Sequence, residues 1–257
     1  MNKIIRLPDY AFQNNTNLIQ LRLANNQIKE IADHAFYGLS KMKYLQIHQN
    51  SLKDMPTAFS HLISLDELNL EDNRLAHLPD KSFQFKDKLT TLRLRNNPIK
   101  SIGDKVFTNL PSLLELKLSE VHDMTKFPDL TGTRNLTVIQ LDRAKIQSLP
   151  PDLCTDLRKL KTFDVHSNKI GSIPKMSDCK NLTILNIANN ELTSLDGRLF
   201  TGMDQLKDLT LSINFIHDIS EDAFVGLSSL EYLNLAENQI SEIHPDAFKP
   251  LKALKDL

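Results

Sequence analysis

Tryptophan is absent, only seven glycines and two cysteines occur, and no apolar run approaches the roughly 20 residues that a membrane-spanning helix needs. Each shortage excludes something. Without a long apolar run the segment makes no membrane contact of its own, and Met1 is followed by Asn-Lys-Ile-Ile-Arg instead of the apolar stretch of a secretory leader. Few glycines beside 40% hydrophobic residues describe an ordered chain with an aliphatic core, not a low-complexity one. Charge of one sign is also missing: 31 basic against 32 acidic side chains leave a net charge of −1, so no global field draws nucleic acid or anionic lipid. Recognition by charge must therefore be local. There is no phosphate loop, no zinc-type spacing and no nucleophile elbow, so neither a catalytic residue nor a cofactor or metal is expected. The two cysteines suit either redox compartment by number alone.

What is abundant is leucine at a fixed period. The pattern L-x-x-L-x-L-x-x-N-x-L returns ten times, as in Leu65/Leu68/Leu70/Asn73/Leu75 and Leu206/Leu209/Leu211/Asn214/Ile216. The repeats start at Leu18, Met42, Leu65, Leu89, Leu113, Leu136, Leu160, Leu182, Leu206 and Leu230, and Leu254 opens an eleventh. This is the leucine-rich-repeat consensus. In each unit the L-x-L core has the period of two that sends leucines inward and their neighbours outward from a short strand. One such strand cannot bury its apolar side alone, but stacked strands share a core and form a parallel sheet. The fold expected is an α/β solenoid, a leucine-rich-repeat horseshoe with a concave parallel β-sheet and a convex side of turns and short helical turns, in a single array over 1–257.

Two side-chain series should support it. An inward amide at the Asn slot can satisfy backbone groups freed where the chain leaves the strand, giving a ladder from Asn26 through Asn50, Asn73 and Asn97. Phe12, Phe36, Phe59, Phe83, Phe107, Phe200, Phe224 and Phe248 share one slot and should line a spine under the convex side. The 24-residue length with that Phe resembles the "typical" leucine-rich repeats of extracellular animal proteins. Asn2, Ile4 and Leu7 read as the tail of one partial repeat, and neither end shows the cap that terminal repeats need, so a longer parent protein is expected.

The pattern breaks once. After Leu118 the apolar slots fall at Val121, Met124 and Phe127, and the Asn slot is lost to Val121 and again to Ala144. An interrupted amide ladder and a bend or loosened sheet are expected across 118–136. Cys154 then stands in the Phe slot of its repeat and Cys179 three residues before Leu182, on adjacent units. That spacing allows the roughly 5.5 to 6 Å Cα separation of a disulfide, and a bridge closing about 25 residues is expected over the alternative of two buried thiols.

The run Phe127-Pro128-Asp129-Leu130-Thr131-Gly132-Thr133-x-x-Leu136, followed by Ile146-Gln147-Ser148-Leu149-Pro150-x-x-Leu153-Cys154 and Ile173-Pro174-x-x-x-x-Cys179, resembles the leucine-rich-repeat G-protein-coupled receptors. The branch that includes the R-spondin and bursicon receptors is the most similar. The resemblance implies that Cys154 and Cys179 are paired. It also implies that the concave face before the break binds ligand, and that the location is extracellular, on a plasma-membrane protein with receptor-type signalling.

The outward strand positions form a wide, polar, mixed-charge face that suits a folded protein better than a small apolar ligand. On three successive strands Tyr44, His48, Glu67, Glu71, Arg93 and Arg95 combine the aromatic and arginine groups that dominate interface energy. They are the candidate site for a secreted, cysteine-rich protein ligand. The bland alternative is cross-strand neutralisation of Arg93 and Arg95 by Glu67 and Glu71. Asp142, Asp164 and His166 could imitate a metal or acid–base site, but an open sheet neither excludes water nor shifts pKa values much. Asn14, Asn135 and Asn181 head N-x-Thr sequons and are candidate glycosylation sites. A matrix or adhesion protein without a signalling role is the alternative function.

Overall fold

The computed structural model describes residues 2–84, 86–121 and 123–257; Met1, Phe85 and His122, the last inside the stretch expected to bend, lie outside the described residues. The repeats group into two compact units, one of 1–123 with 128–134 and one of 124–127 with 135–257, so the irregular stretch is where the chain divides.

The first unit holds strands β1 (Arg6–Leu7), β2 (Gln20–Arg22), β3 (Glu30–Ile31), β4 (Tyr44–Gln46), β5 (Glu67–Asn69), β6 (His77–Leu78), β7 (Thr91–Arg93), β8 (Ser101–Ile102) and β9 (Glu115–Lys117). Strands β2, β4, β5, β7 and β9 pair in parallel and in strict register, which aligns Leu21, Leu45, Leu68, Leu92 and Leu116. The second unit holds β10 (Val138–Gln140), β11 (Thr162–Asp164), β12 (Ile184–Asn186), β13 (Asp208–Thr210), β14 (Asp218–Ile219), β15 (Tyr232–Asn234) and β16 (Glu242–Ile243). There β10, β11, β12, β13 and β15 align Ile139, Phe163, Leu185, Leu209 and Leu233. Each unit is thus a parallel-sheet solenoid with little helix, and the fold class read from the repeat is the one observed. Among the described residues regular helix is confined to a 3-10 segment, Thr57–His61, and one α-helical turn, α1 (Leu153–Asp156). The sequence reading did not foresee the two-residue parallel ribbons β1–β3, β6–β8 and β14–β16, formed just after the Asn turn.

The Asn slot works as expected from its chemistry. Asn73 accepts from the Leu52 N–H through Oδ1 (3.1 Å), while its Nδ2 lies within hydrogen-bonding range of the carbonyls of Ile47, Leu70 and Glu71. Asn50 and Asn97 repeat this in the first unit, and Asn168, Asn190, Asn214 and Asn238 in the second. At the first lost slot the consequence is local: the Ile99 N–H, with no amide at Val121 to meet, donates to the Asn97 carbonyl (2.8 Å). The residue before each slot is left-handed, from Asn25, Gln49, Asp72, Asn96 and Glu120 to Arg143, Ser167, Asn189, Ile213 and Glu237, at φ of 52–63°.

Away from the sheets the phenylalanines stack as the shared slot requires. Phe12, Phe36 and Phe59 form one run with ring centroids 6.2 and 6.1 Å apart, and Phe83–Phe107 (6.0 Å) and Phe224–Phe248 (5.7 Å) repeat it. Leu130, Cys154 and Met176 take the slot where Phe is missing, and all three are buried. Cys154 and Cys179 are joined, with Cα atoms 5.0 Å apart, so the bridge prevails over the pair of buried thiols. In the irregular repeat Thr133 acts as a clasp: fully buried, its Oγ1 donates to the Phe107 carbonyl (2.6 Å) and accepts from the Leu110 N–H (3.1 Å). Gly132 beside it has φ 80°, a backbone conformation strained for any residue with a side chain, and a Cβ there would also press on Asn109, so glycine is favoured.

Candidate ligand-binding face

The six candidate residues meet on the sheet of the first unit because its register is strict. Tyr44 pairs with Glu67, Glu67 with Thr91, and Asn69 with Arg93, while His48, Glu71 and Arg95 continue the same strands by two residues each. All six are half-buried, held between leucines that point the other way. The structure therefore gathers the whole set on one face, around a shallow dent between Tyr44, Glu67 and Arg93.

The charges do not cancel. Among the described residues no ion pair joins Glu67 or Glu71 to Arg93 or Arg95, although adjacent strands bring them side by side. Register sets proximity, but side chains at a surface pair only when the Coulomb gain exceeds the entropy of fixing both. Two atoms of the set are sequestered as well: His48 Nδ1 and Arg95 Nε are buried from solvent and have no hydrogen-bond partner. A buried polar atom left unsatisfied carries a desolvation cost that a bound acceptor or donor would recover. Next along the sheet, Lys117 and Glu115 do pair, at 3.2 Å.

The sheet of the second unit is different. Asp142 is fully buried and accepts from Arg143 Nε at 3.0 Å. His166 Nδ1 lies 2.7 Å from Asp164 Oδ1, and its Nε2 faces Asp142 Oδ2 at 3.8 Å. The two carboxylates thus engage opposite edges of one imidazole instead of converging on a shared point, and no group of three metal-ligating side chains forms among the described residues. Of the sequon asparagines, Asn14 and Asn181 are exposed and Asn135 is half-buried, its Oδ1 accepting from Lys159 Nζ (2.7 Å).

Two features escaped the sequence reading. Tyr10, His34, Tyr37 and His61 form a ring cluster on the far side of the first repeats, with centroids 5.4 to 5.8 Å apart. The 24-residue spacing of Tyr10 and His34 was its only signal. Lys86 occupies the Leu of the F-x-x-L step and is 3% exposed, where a lysine would ordinarily be read as surface.

A leucine-rich-repeat family model matches residues 1–52, 16–75, 87–120, 180–240 and 204–257, and a two-copy repeat model matches 158–200. The chain belongs to the leucine-rich-repeat family. It is 36% identical over 126 residues to the rat leucine-rich repeat-containing G-protein coupled receptor 5, an alignment covering 49% of this chain and 14% of that receptor. The resemblance to these receptors is borne out as sequence similarity, and the chain spans a small part of their length. Among solved structures, the Drosophila Toll–Spatzle complex matches 92% of this chain and 32% of that one, with a TM-score of 0.82 at 28% identity. A leucine-rich-repeat protein of Leptospira interrogans matches 99% of this chain and 63% of that one, at 0.84 and 26%.

Proposed function

We propose that this chain is the ligand-binding part of a cell-surface receptor ectodomain, a non-enzymatic scaffold related to the leucine-rich-repeat G-protein-coupled receptors. It recognises a secreted, cysteine-rich protein through the sheet face of the first unit, at Tyr44, His48, Glu67, Glu71, Arg93 and Arg95. In the full-length protein the bound face is coupled to G-protein-coupled-receptor-type signalling. The disulfide and the sequons at Asn14, Asn135 and Asn181, which we propose carry glycans, fit an extracellular setting. The observation that carries the reading is the unpaired state of the two glutamates and two arginines, with Arg95 Nε and His48 Nδ1 buried and unsatisfied.

The test is binding of secreted cysteine-rich proteins, R-spondins included, to immobilised chain. Arg93→Glu with Arg95→Glu weakens the bound partner by about 2 kcal/mol or more, roughly thirtyfold, as central arginines do at interfaces. The thermal midpoint hardly moves, because the charge reversal breaks no ion pair among the described residues of the folded chain. Lys29→Glu with Lys53→Glu, on the turns leaving the strands, serves as control. Equal losses from both pairs reject the face.

A further inference from the structure

The turn that leaves β13 carries a feature that neither the fold nor the proposed binding face uses. Ile213 sits at φ 56° in the left-handed slot before Asn214 and is 44% exposed, and Phe215, on the other side of that inward asparagine, is 46% exposed. Every other residue in the left-handed slot is polar, and Lys169, Glu191 and Gln239 hold the Phe215 position in the neighbouring repeats of this unit. A β-branched side chain at positive φ is a conformational outlier, and here the strain brings no burial in return. Asparagine or glycine would relieve it at no loss to the core.

Acidic residues hold several of the neighbouring positions. Glu191 and Glu237 take the matching positions one repeat before Phe215 and one repeat after Ile213. Beyond them Asp218 and Glu242 are direct cross-strand partners in the β14–β16 ribbon, two exposed carboxylates side by side. Like charges directly opposite destabilise a strand pair. None of the four carboxylates has an ion-pair partner among the described residues.

We infer that Ile213 and Phe215 form a docking spot for a partner protein segment that offers an apolar side chain flanked by lysine or arginine. The apolar anchor covers the two exposed side chains, and the flanking cations meet Glu191, Glu237, Asp218 and Glu242. The charge pattern selects this occupant. An anionic membrane surface is repelled by the rim, and a symmetric contact with a second copy sets the same acidic rim against itself.

The test uses the full chain with isoleucine methyl labels and the hexapeptide Lys-Lys-Leu-Phe-Lys-Lys, with Glu-Glu-Leu-Phe-Glu-Glu as its charge-reversed counterpart. The basic peptide shifts the Ile213 methyl saturably, and the acidic peptide leaves it in place. By fluorescence anisotropy, Phe215→Ser and the pair Asp218→Lys with Glu242→Lys each weaken the basic peptide at least fivefold. Ile213→Asn weakens it similarly while holding or raising the thermal midpoint, which separates docking from folding. Unmoved Ile213, equal binding of both peptides, or full binding by Ile213→Asn overturns the inference. So does an Ile213 shift that follows protein concentration without peptide, because that assigns the spot to self-association.

Discussion

The two units share one backbone recipe but differ in how the charges at the centre of their outward faces are disposed. In the first, Glu67, Glu71, Arg93 and Arg95 stand on adjacent strands and stay unpaired. In the second, Asp142 is engaged by Arg143 and Asp164 by His166, and the remaining outward strand positions include Ile184, Ala188, Ser212 and Ala236. The inward leucines and the amide ladder run through both sheets whatever the outward residues do. The units also differ behind the sheet: the first stacks Phe36 on Phe59 and Phe83 on Phe107, whereas the second begins with Cys154 and Met176 in the Phe slot and a disulfide beside them.

If inward amides and not outward charges hold the first unit, Asn73→Ala should be the most damaging single change on its sheet. It strands the Leu52 N–H, whereas the carbonyls of Ile47, Leu70 and Glu71 keep Asn50 Nδ2, Asn97 Nδ2 and the Gln49 N–H as donors. One stranded buried donor costs roughly 1 to 3 kcal/mol and the deleted amide leaves a void besides, so a loss of about 3 kcal/mol is expected. Denaturant unfolding should show it, with hydrogen exchange accelerated around Leu52 and Leu75. A loss no larger than that of Arg93→Glu with Arg95→Glu breaks the division between inward support and outward freedom.

Removing the bridge tests the other side of the comparison. Closing a segment of 25 residues, Cys154 to Cys179 restrict the unfolded chain by about 3 kcal/mol in the loop-entropy account. Cys154→Ser with Cys179→Ser should therefore lower the melting of the second unit by roughly 10 °C while exchange protection in the first stays as it was. Uniform loss across both units means that they unfold together, and the bridge is then not a local substitute for missing aromatic stacking.

Features that were readable from residues alone are those with a period. L-x-L prescribed the strand and its inward face, the Asn slot prescribed the ladder down to its gap at Val121, and the shared Phe slot prescribed the stack. The spacing of Cys154 and Cys179 favoured the bridge without excluding thiols, because sequence distance sets reach but not rotamer. The same limit applied to the candidate face: the rows brought Glu67 and Arg93 to neighbouring strands, but whether their tips meet depends on side-chain conformations that no pattern records. Single substitutions inside a slot were the least readable. Thr133 and Gly132 clasp Phe107 and Asn109 by fit, Phe127 finds the ring of Phe163 at 6.1 Å across an irregular stretch, and Lys86 lies buried where leucine belongs.

Lys86 gives the smallest effect and the finest probe of the first unit, whose core it interrupts. Its stem fills the Leu slot under Phe83, and burial pushes its ammonium below the usual 10.5, with Asp87 opposing that shift. A lysine whose folded-state pKa is lowered costs stability at every pH below that value, since the unfolded chain keeps its proton more readily. Stability should then rise as pH climbs from the folded value toward 10.5 and be flat in this respect at neutral pH. Lys86→Met keeps the apolar stem and removes the charge, so it should stabilise by about 1 kcal/mol at pH 7. The gain should shrink toward pH 10.5 as the wild-type lysine loses its proton. Paired denaturant titrations of both proteins from pH 7 to 10.5 measure it. A constant difference across that range assigns the effect to packing alone, and a destabilised Lys86→Met shows that the ammonium, despite its burial, holds a contact that supports the spine.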